Sequence, residues 1–98
     1  MKVIEGDINL VDKQLTELPK LQDVTVQGYF DCSNNLLISL DGCPEIIEGH
    51  FYCSDNKLTS LEGCPSIVKK NFYCSYNSKT FTREEVESFC NVQGKIFV

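Results

Sequence analysis

Six cysteines, one histidine and a set of serines and carboxylates are the side chains with the means for covalent or acid–base chemistry. A Ser-His-Asp set can be drawn from Ser54, His50 and Asp55. Ser54, however, recurs 21 residues away on either side, as Ser33 and Ser75, in segments that hold no histidine. A nucleophile has no reason to recur in this way, whereas a hydroxyl that bonds the backbone does. A cysteine nucleophile needs a lowered pKa and access to solvent. Cys32, Cys53 and Cys74 share one repeated position, and Cys43 and Cys64 share another. These are positions for small buried side chains, and free cysteine behaves as a small hydrophobe. Reduced, packed thiols are therefore expected, with bridges between adjacent repeats as the alternative because neighbouring strands lie within bridging distance. No CxxC pair or Cys/His pair of zinc spacing occurs. Gly42 and Gly63 lie in Gly-Cys-Pro corners that precede no helix, so they do not form a phosphate loop. The expectation is a protein that is not an enzyme, with no catalytic, cofactor or metal site.

The element that positions these residues is a repeat. Phe30-Asp31-Cys32-Ser33-Asn34-Asn35 returns as Phe51-Tyr52-Cys53-Ser54-Asp55-Asn56 and as Phe72-Tyr73-Cys74-Ser75-Tyr76-Asn77. Leu37-Ile38-Ser39-Leu40-Asp41-Gly42-Cys43-Pro44 returns as Leu58-Thr59-Ser60-Leu61-Glu62-Gly63-Cys64-Pro65. A fixed period of this size marks stacked repeats that cover one another's apolar faces. In each copy the alternation of a short strand turns Phe and Cys inward and the residue between them outward. Asn35, Asn56 and Asn77 follow the strand at a bend, where an amide can serve unpaired backbone groups and ladder one repeat to the next.

Residues 1–28 read as a degenerate first repeat and its connection, 29–79 as the core repeats, and 80–98 as a cap. In the first repeat Ile8 aligns with Phe30, and Leu15 and Leu18 align with Leu37 and Leu40. Residues 20–28, 45–49 and 66–70 read as connections. Lys79 stands where Leu37 and Leu58 stood. Thr82 and Glu85 have capping-box spacing, and Phe81 and Val86 that of a hydrophobic staple. Val86, Phe89 and Cys90 fall on one helical face, and Ile96-Phe97-Val98 suits a final strand.

The chain of 98 residues fits a single domain. Its 14 acidic against 9 basic residues give a charge of -5, which argues against direct nucleic-acid binding. Glu5-Gly6-Asp7 interrupts the only apolar start, so no signal peptide is expected. No run approaches the roughly 20 apolar residues that span a membrane. A cytoplasmic setting is the simple expectation.

The pattern Phe51-x-Cys53-x-x-Asn56-x-Leu58-x-x-Leu61 resembles the LxLxxNxLxxL core of leucine-rich repeats. The Phe-x-Cys-Ser-x-Asn and Ser-Leu-x-Gly-Cys-Pro variant is similar to short repeat proteins of tailed phages and other large DNA viruses. The resemblance covers about residues 3–79. It implies an α/β solenoid, a right-handed superhelix with a parallel sheet on one face and few helices, to which the helix and strand read in residues 80–98 add a C-terminal cap. It also implies partner binding through the sheet.

The outward strand positions and the bend just beyond them hold all four tyrosines. Tyr29, Tyr52 and Tyr73 share the strands, with Asp31 and His50 among them, and Asp55 and Tyr76 lie just beyond. Tyrosine gives contact area and a polar tip at modest entropic cost. The alternative is cross-strand stacking for stability. The expectation is a protein-binding face made of Tyr29, Asp31, His50, Tyr52, Asp55, Tyr73 and Tyr76, for a host protein with a basic patch, on a monomer or weak homo-oligomer. A self-associating structural module and an acidic mimic of nucleic acid are the competing readings.

Overall fold

The computed structural model describes residues 2–98. Its chain winds as a small β-solenoid of about four turns. The elements are β1 (Lys2–Ile4), β2 (Ile8–Asn9), β3 (Val24–Val26), β4 (Phe30–Asp31), β5 (Ile46–Ile47), β6 (Phe51–Tyr52), β7 (Ile67–Val68), β8 (Phe72–Tyr73), α1 (Arg83–Phe89), β9 (Asn91–Val92) and β10 (Ile96–Phe97). Odd-numbered strands stack in one parallel sheet, in the order β1-β3-β5-β7-β9. Even-numbered strands form a second, in the order β10-β8-β6-β4-β2. Turns close the third side of each coil, and α1 takes that place in the last one.

The second sheet corrects the expectation of a sheet on one face only. The segments read as connections carry Val24-Thr25-Val26, Ile46-Ile47 and Ile67-Val68, which are strands in register with one another. These are β-branched residues, which fit a pleated surface. They are too few per turn to show a period of two, so nothing separates them from apolar loop residues until the coils stack.

The core is a set of columns running up the solenoid. Ile8, Phe30, Phe51, Phe72 and Ile96 form one, and Ile4, Val26, Ile47, Val68 and Val92 form the facing one. Phe30, Phe51 and Phe72 are fully buried, as are Leu37, Leu40 and Leu58. Each such side chain contributes about 2–3 kcal/mol on burial. Between the sheets the backbone corners touch: a Cβ placed on Gly49 would lie 2.5 Å from the Gly28 carbonyl oxygen. Only glycine fits that approach.

Asn35 and Asn56, both buried, and the half-buried Asn77 tie the coils together as the repeat suggested. The Asn35 amide oxygen accepts from the Lys13 and Leu15 N–H groups of the coil before it, at 3.0 and 2.9 Å. Its nitrogen donates to the carbonyls of Leu10, Cys32 and Ser33. Asn56 repeats the pattern with Leu37 N–H and the carbonyls of Cys32, Cys53 and Ser54. Asn77 does so with Leu58 N–H and the carbonyls of Cys53, Cys74 and Ser75.

After Asn77 the chain gains one residue. The N–H of Lys79 bonds the Leu58 carbonyl as that of Lys57 bonds Leu37. Lys79 therefore takes the place of Lys57, not that of a core leucine, and this explains its charge and exposure. The Thr82 capping box forms as expected: Glu85 N–H donates to Thr82 Oγ1, and Thr82 N–H donates to the Glu85 carboxylate. Lys79 also pairs with Glu85. Val86 and Phe81 are buried in the core, and so is Cys90. Phe89 is not; it is 48% exposed. The chain is extended at Cys90, so Cys90 turns inward from an extended residue and the helix buries a narrower stripe.

Replacing Asn56 tests the ladder. Asn56→Ala leaves Leu37 N–H and a set of buried carbonyls without their partner, and is expected to cost about 3 kcal/mol. Asn56→Asp is expected to cost a similar amount, because it removes the donors. Urea unfolding of the two variants measures both.

Candidate binding face

The even-numbered sheet turns the column Asn9, Asp31, Tyr52, Tyr73 and Phe97 outward. Strand spacing then dictates ring spacing. Tyr52 and Tyr73 stack with centroids 4.7 Å apart and planes 11° from parallel. Tyr73 and Phe97 stack at 4.7 Å and 6°. Tyr29 meets Tyr52 edge-on at 6.0 Å. Burial, then Tyr73, Asp31 and Tyr29, raise the pKa of Tyr52. Its phenol therefore stays a neutral hydrogen-bonding group.

His50 sits between Tyr52 and Tyr73, at 5.9 and 6.1 Å from their rings. Its Nδ1 accepts the Asn71 N–H at 3.1 Å. The neighbouring coils do the same with other acceptors: Asp7 takes the Tyr29 N–H at 2.9 Å, and Asn71 takes the Lys95 N–H at 2.9 Å. His50 thus fills a corner acceptor role, with its other nitrogen left for solvent or a partner. The Asn71 amide also donates to the Tyr73 hydroxyl at 3.2 Å.

Along the far edge of this sheet every coil bends through the left-handed region at one shared position, and the first coil does so again at Gln14, with φ of 55°. Asp12, Asn34, Asp55 and Tyr76 hold the bend, with φ of 59°, 59°, 56° and 59°. Asn34 donates to Asp12 at 2.6 Å. Asn and Asp tolerate this conformation; a bulky aromatic does not. Tyr76 is nonetheless there, and it is 81% exposed. A hollow of about 320 Å³ lies between it and Asn34, Leu36, Asp55 and Lys57. Another of about 370 Å³ lies between it and Cys74, Phe81 and Val98.

The structure therefore brings Tyr29, Asp31, His50, Tyr52 and Tyr73 together as half-buried side chains on one sheet, and sets Asp55 and Tyr76 on its rim. Sequence reasoning missed Phe97 as a member of the row. The strand Ile96–Phe97 was legible, and its pairing with Phe72–Tyr73 puts Phe97 beside the tyrosines. The longer last coil, which holds α1, hides that register.

The thiols form no comparable site. Cys32 and Cys53 donate to the carbonyls of Tyr52 and Tyr73, at 3.4 and 3.3 Å. Burial pushes the thiols of Cys32, Cys43 and Cys53 well up. Cys64 is raised first by its hydrogen bond with Cys90, then by burial. Burial, with Glu85 second, pushes Cys74 up to about 11. None of these five has the lowered pKa of a nucleophile. Among the described residues no group of three or more His, Cys, Asp or Glu is placed to hold a metal ion. No described helix is long and apolar enough to cross a membrane.

The chain matches no protein-family model, no curated protein and no solved structure.

Two measurements check this geometry. Nitrogen-15 NMR should find neutral His50 protonated on Nε2. His50→Asn, which keeps an acceptor, should hold stability, while His50→Leu should lose about 1 kcal/mol. The thiols give a pH dependence. Their pKa values are raised in the folded protein, so their contribution is complete below the unfolded thiol value near 9 and is lost as pH climbs through the folded values. Stability should fall from about pH 9 upward, by about 1.4 kcal/mol per pH unit for each thiol that ionises only on unfolding. Cys74→Val should make that slope shallower between about pH 9 and 11, as read by chemical denaturation at each pH.

Proposed function

We propose that this solenoid is a non-enzymatic protein-binding module that takes its partner on the even-numbered sheet and its rim. The observation that carries the reading is Tyr76. It occupies a bend where every other coil has Asp or Asn, at a conformational cost of about 1–2 kcal/mol. It is held out in solvent between two hollows. A residue that is costly to the fold and buries almost nothing belongs to an interaction outside the fold. Tyr52, Tyr73 and Phe97 continue the apolar surface from it, with Tyr29 and His50 beyond. Asp31 adjoins Tyr52 in the same column, Asp55 shares a hollow with Tyr76, and Asp12 lies along the rim in the first coil, so the matching partner surface carries Lys or Arg.

The stacking reading holds for part of the row. Ring faces in the stack are covered by their neighbours, so Tyr52 and Tyr73 offer rims and hydroxyls. Tyr76 has no ring neighbour of this kind and offers both faces. The finer assignment rests on the resemblance of the repeats to leucine-rich-repeat-like proteins of tailed phages. On that basis the coil is read as a right-handed superhelix of that class. The protein is then a viral accessory factor that inhibits or redirects a host protein in the host cytoplasm, such as a defence nuclease or toxin.

Tyr76→Asn separates fold from binding. It is expected to raise stability by about 1 kcal/mol, by relieving the bend, and to weaken partner binding by about 2 kcal/mol, roughly thirtyfold. Affinity capture from host lysate with wild type, Tyr76→Asn and a Tyr52→Ala/Tyr73→Ala double variant, each checked by thermal melting, reads both effects. Equal recovery of every partner by all three removes this face as the binding surface.

A further inference from the structure

We infer that the two ends of the solenoid form a head-to-tail junction between copies of this chain, in which β10 and β9 of one copy add to β2 and β1 of the next. The backbone carries the argument. Within the even-numbered sheet, Ile8 and Leu10 donate to the coil after them, at the carbonyls of Tyr29 and Asp31, and Phe72 and Cys74 donate to those of Lys95 and Phe97. By the alternation of a parallel ladder, the peptide groups of Asp7 and Asn9 point off the edge of β2. Those of Ile96 point off the edge of β10. The odd-numbered sheet behaves alike. Lys2 donates to the Asp23 carbonyl, and Ile4 accepts from Gln27; Asn91 and Gln93 donate to Ser66 and Val68. Val3 at one edge and Val92 at the other therefore point outward.

These edges are complementary in register. A second copy advanced by one coil sets Ile96 above Ile8, Val92 above Ile4 and Phe97 above Asn9. This continues each column with a side chain of its own kind, apart from the last. It also sets Lys95 above Asp7, an opposite-charge pair. The apolar members at both ends, Ile4, Ile8, Val92 and Ile96, are only partly buried within one copy.

The third side of the coil does not obstruct the junction. Each sheet is 5-stranded, but the third side has one layer fewer, because the chain passes through it only between sheets. Its last layer holds α1. A helix is about 10 Å across, close to two layers at the strand spacing of about 4.8 Å. The diameter of the helix thus matches the height of its own layer and the missing one together. A contact between different surfaces of identical copies leaves one of each free, so association proceeds to chains of copies rather than stopping at a pair.

Proline at an outward-pointing edge position removes the junction's donor and leaves the internal ladder bonds in place. Val3→Pro closes one end and Ile96→Pro the other. Sedimentation equilibrium on wild type is expected to show mass rising with concentration above 11.1 kDa. Each variant alone is expected to remain a single chain. An equimolar mixture is expected to form a two-chain species and go no further, since each variant retains the end the other has lost. Circular dichroism checks that both are folded. Where Ile96→Pro fails to fold, Lys95→Glu, an exposed substitution that faces Asp7 with a like charge, is expected to weaken association about tenfold. Wild type that stays a single chain to millimolar concentration overturns the inference. So does association that survives both prolines, or a mixture no heavier than its components. Each readout is the mass of the purified chain with no partner present, so the result stands apart from the partner-binding proposal.

Discussion

The constraint on which the rest depends is that every coil lies directly above the one before it, at the separation of paired β-strands. Backbone hydrogen bonds set that distance, and a side chain must then tolerate the same position in the next coil as its neighbour. The ladder asparagines enforce the alignment. Each bonds its own coil and the preceding one, so a coil that slides by one residue loses a set of buried partners together. Phenylalanine over phenylalanine and valine over isoleucine follow from this, as does glycine at corners where one backbone passes within touching distance of another.

The same constraint produces the outward face. Tyrosines placed at one position per coil are brought to 4.7 Å whether or not a partner exists. Stacking is therefore a consequence of the repeat, and by itself it says little about function. What the repeat does not impose is more telling. Nothing in the stacking of coils calls for an aromatic ring at the left-handed bend, because Asp12, Asn34 and Asp55 meet the geometry more cheaply. His50 is the reverse case. Its type stands out in the sequence, yet its Nδ1 does what Asp7 and Asn71 do elsewhere, which leaves only Nε2 and the ring outside that structural task.

How much could be read beforehand follows from what repeats in the chain. The inward Phe and Cys, the asparagine ladder and the Thr82 cap were all legible, because each has an unmistakable local signature or recurs at 21 residues. The odd-numbered sheet was not. A two-residue strand has no period to detect, and Ile46-Ile47 becomes a strand only when Val24–Val26 and Ile67–Val68 lie alongside. The place of Lys79 and the role of Phe97 were hidden by the longer last coil, since register there is counted through α1 rather than by the repeat. The rim was half legible. Tyr76 could be placed beside the strand, but its strain is visible only once φ is known.

These differences bear on where the molecule has room to change. Positions inside the columns are coupled to copies above and below, so a substitution there alters several contacts at once. Bends and outward positions lie outside the packed core, and there the repeats diverge: Asp31, Tyr52 and Tyr73 share one column, and Asn34, Asp55 and Tyr76 another. A repeat that is uniform inside and varied outside keeps one fold while presenting a non-repeating surface. Acidic groups gather toward the first coils and aromatic ones toward the last. A partner that reads both must therefore lie along the solenoid axis, across the strands, and its orientation is decided by the order in which its basic and apolar groups come.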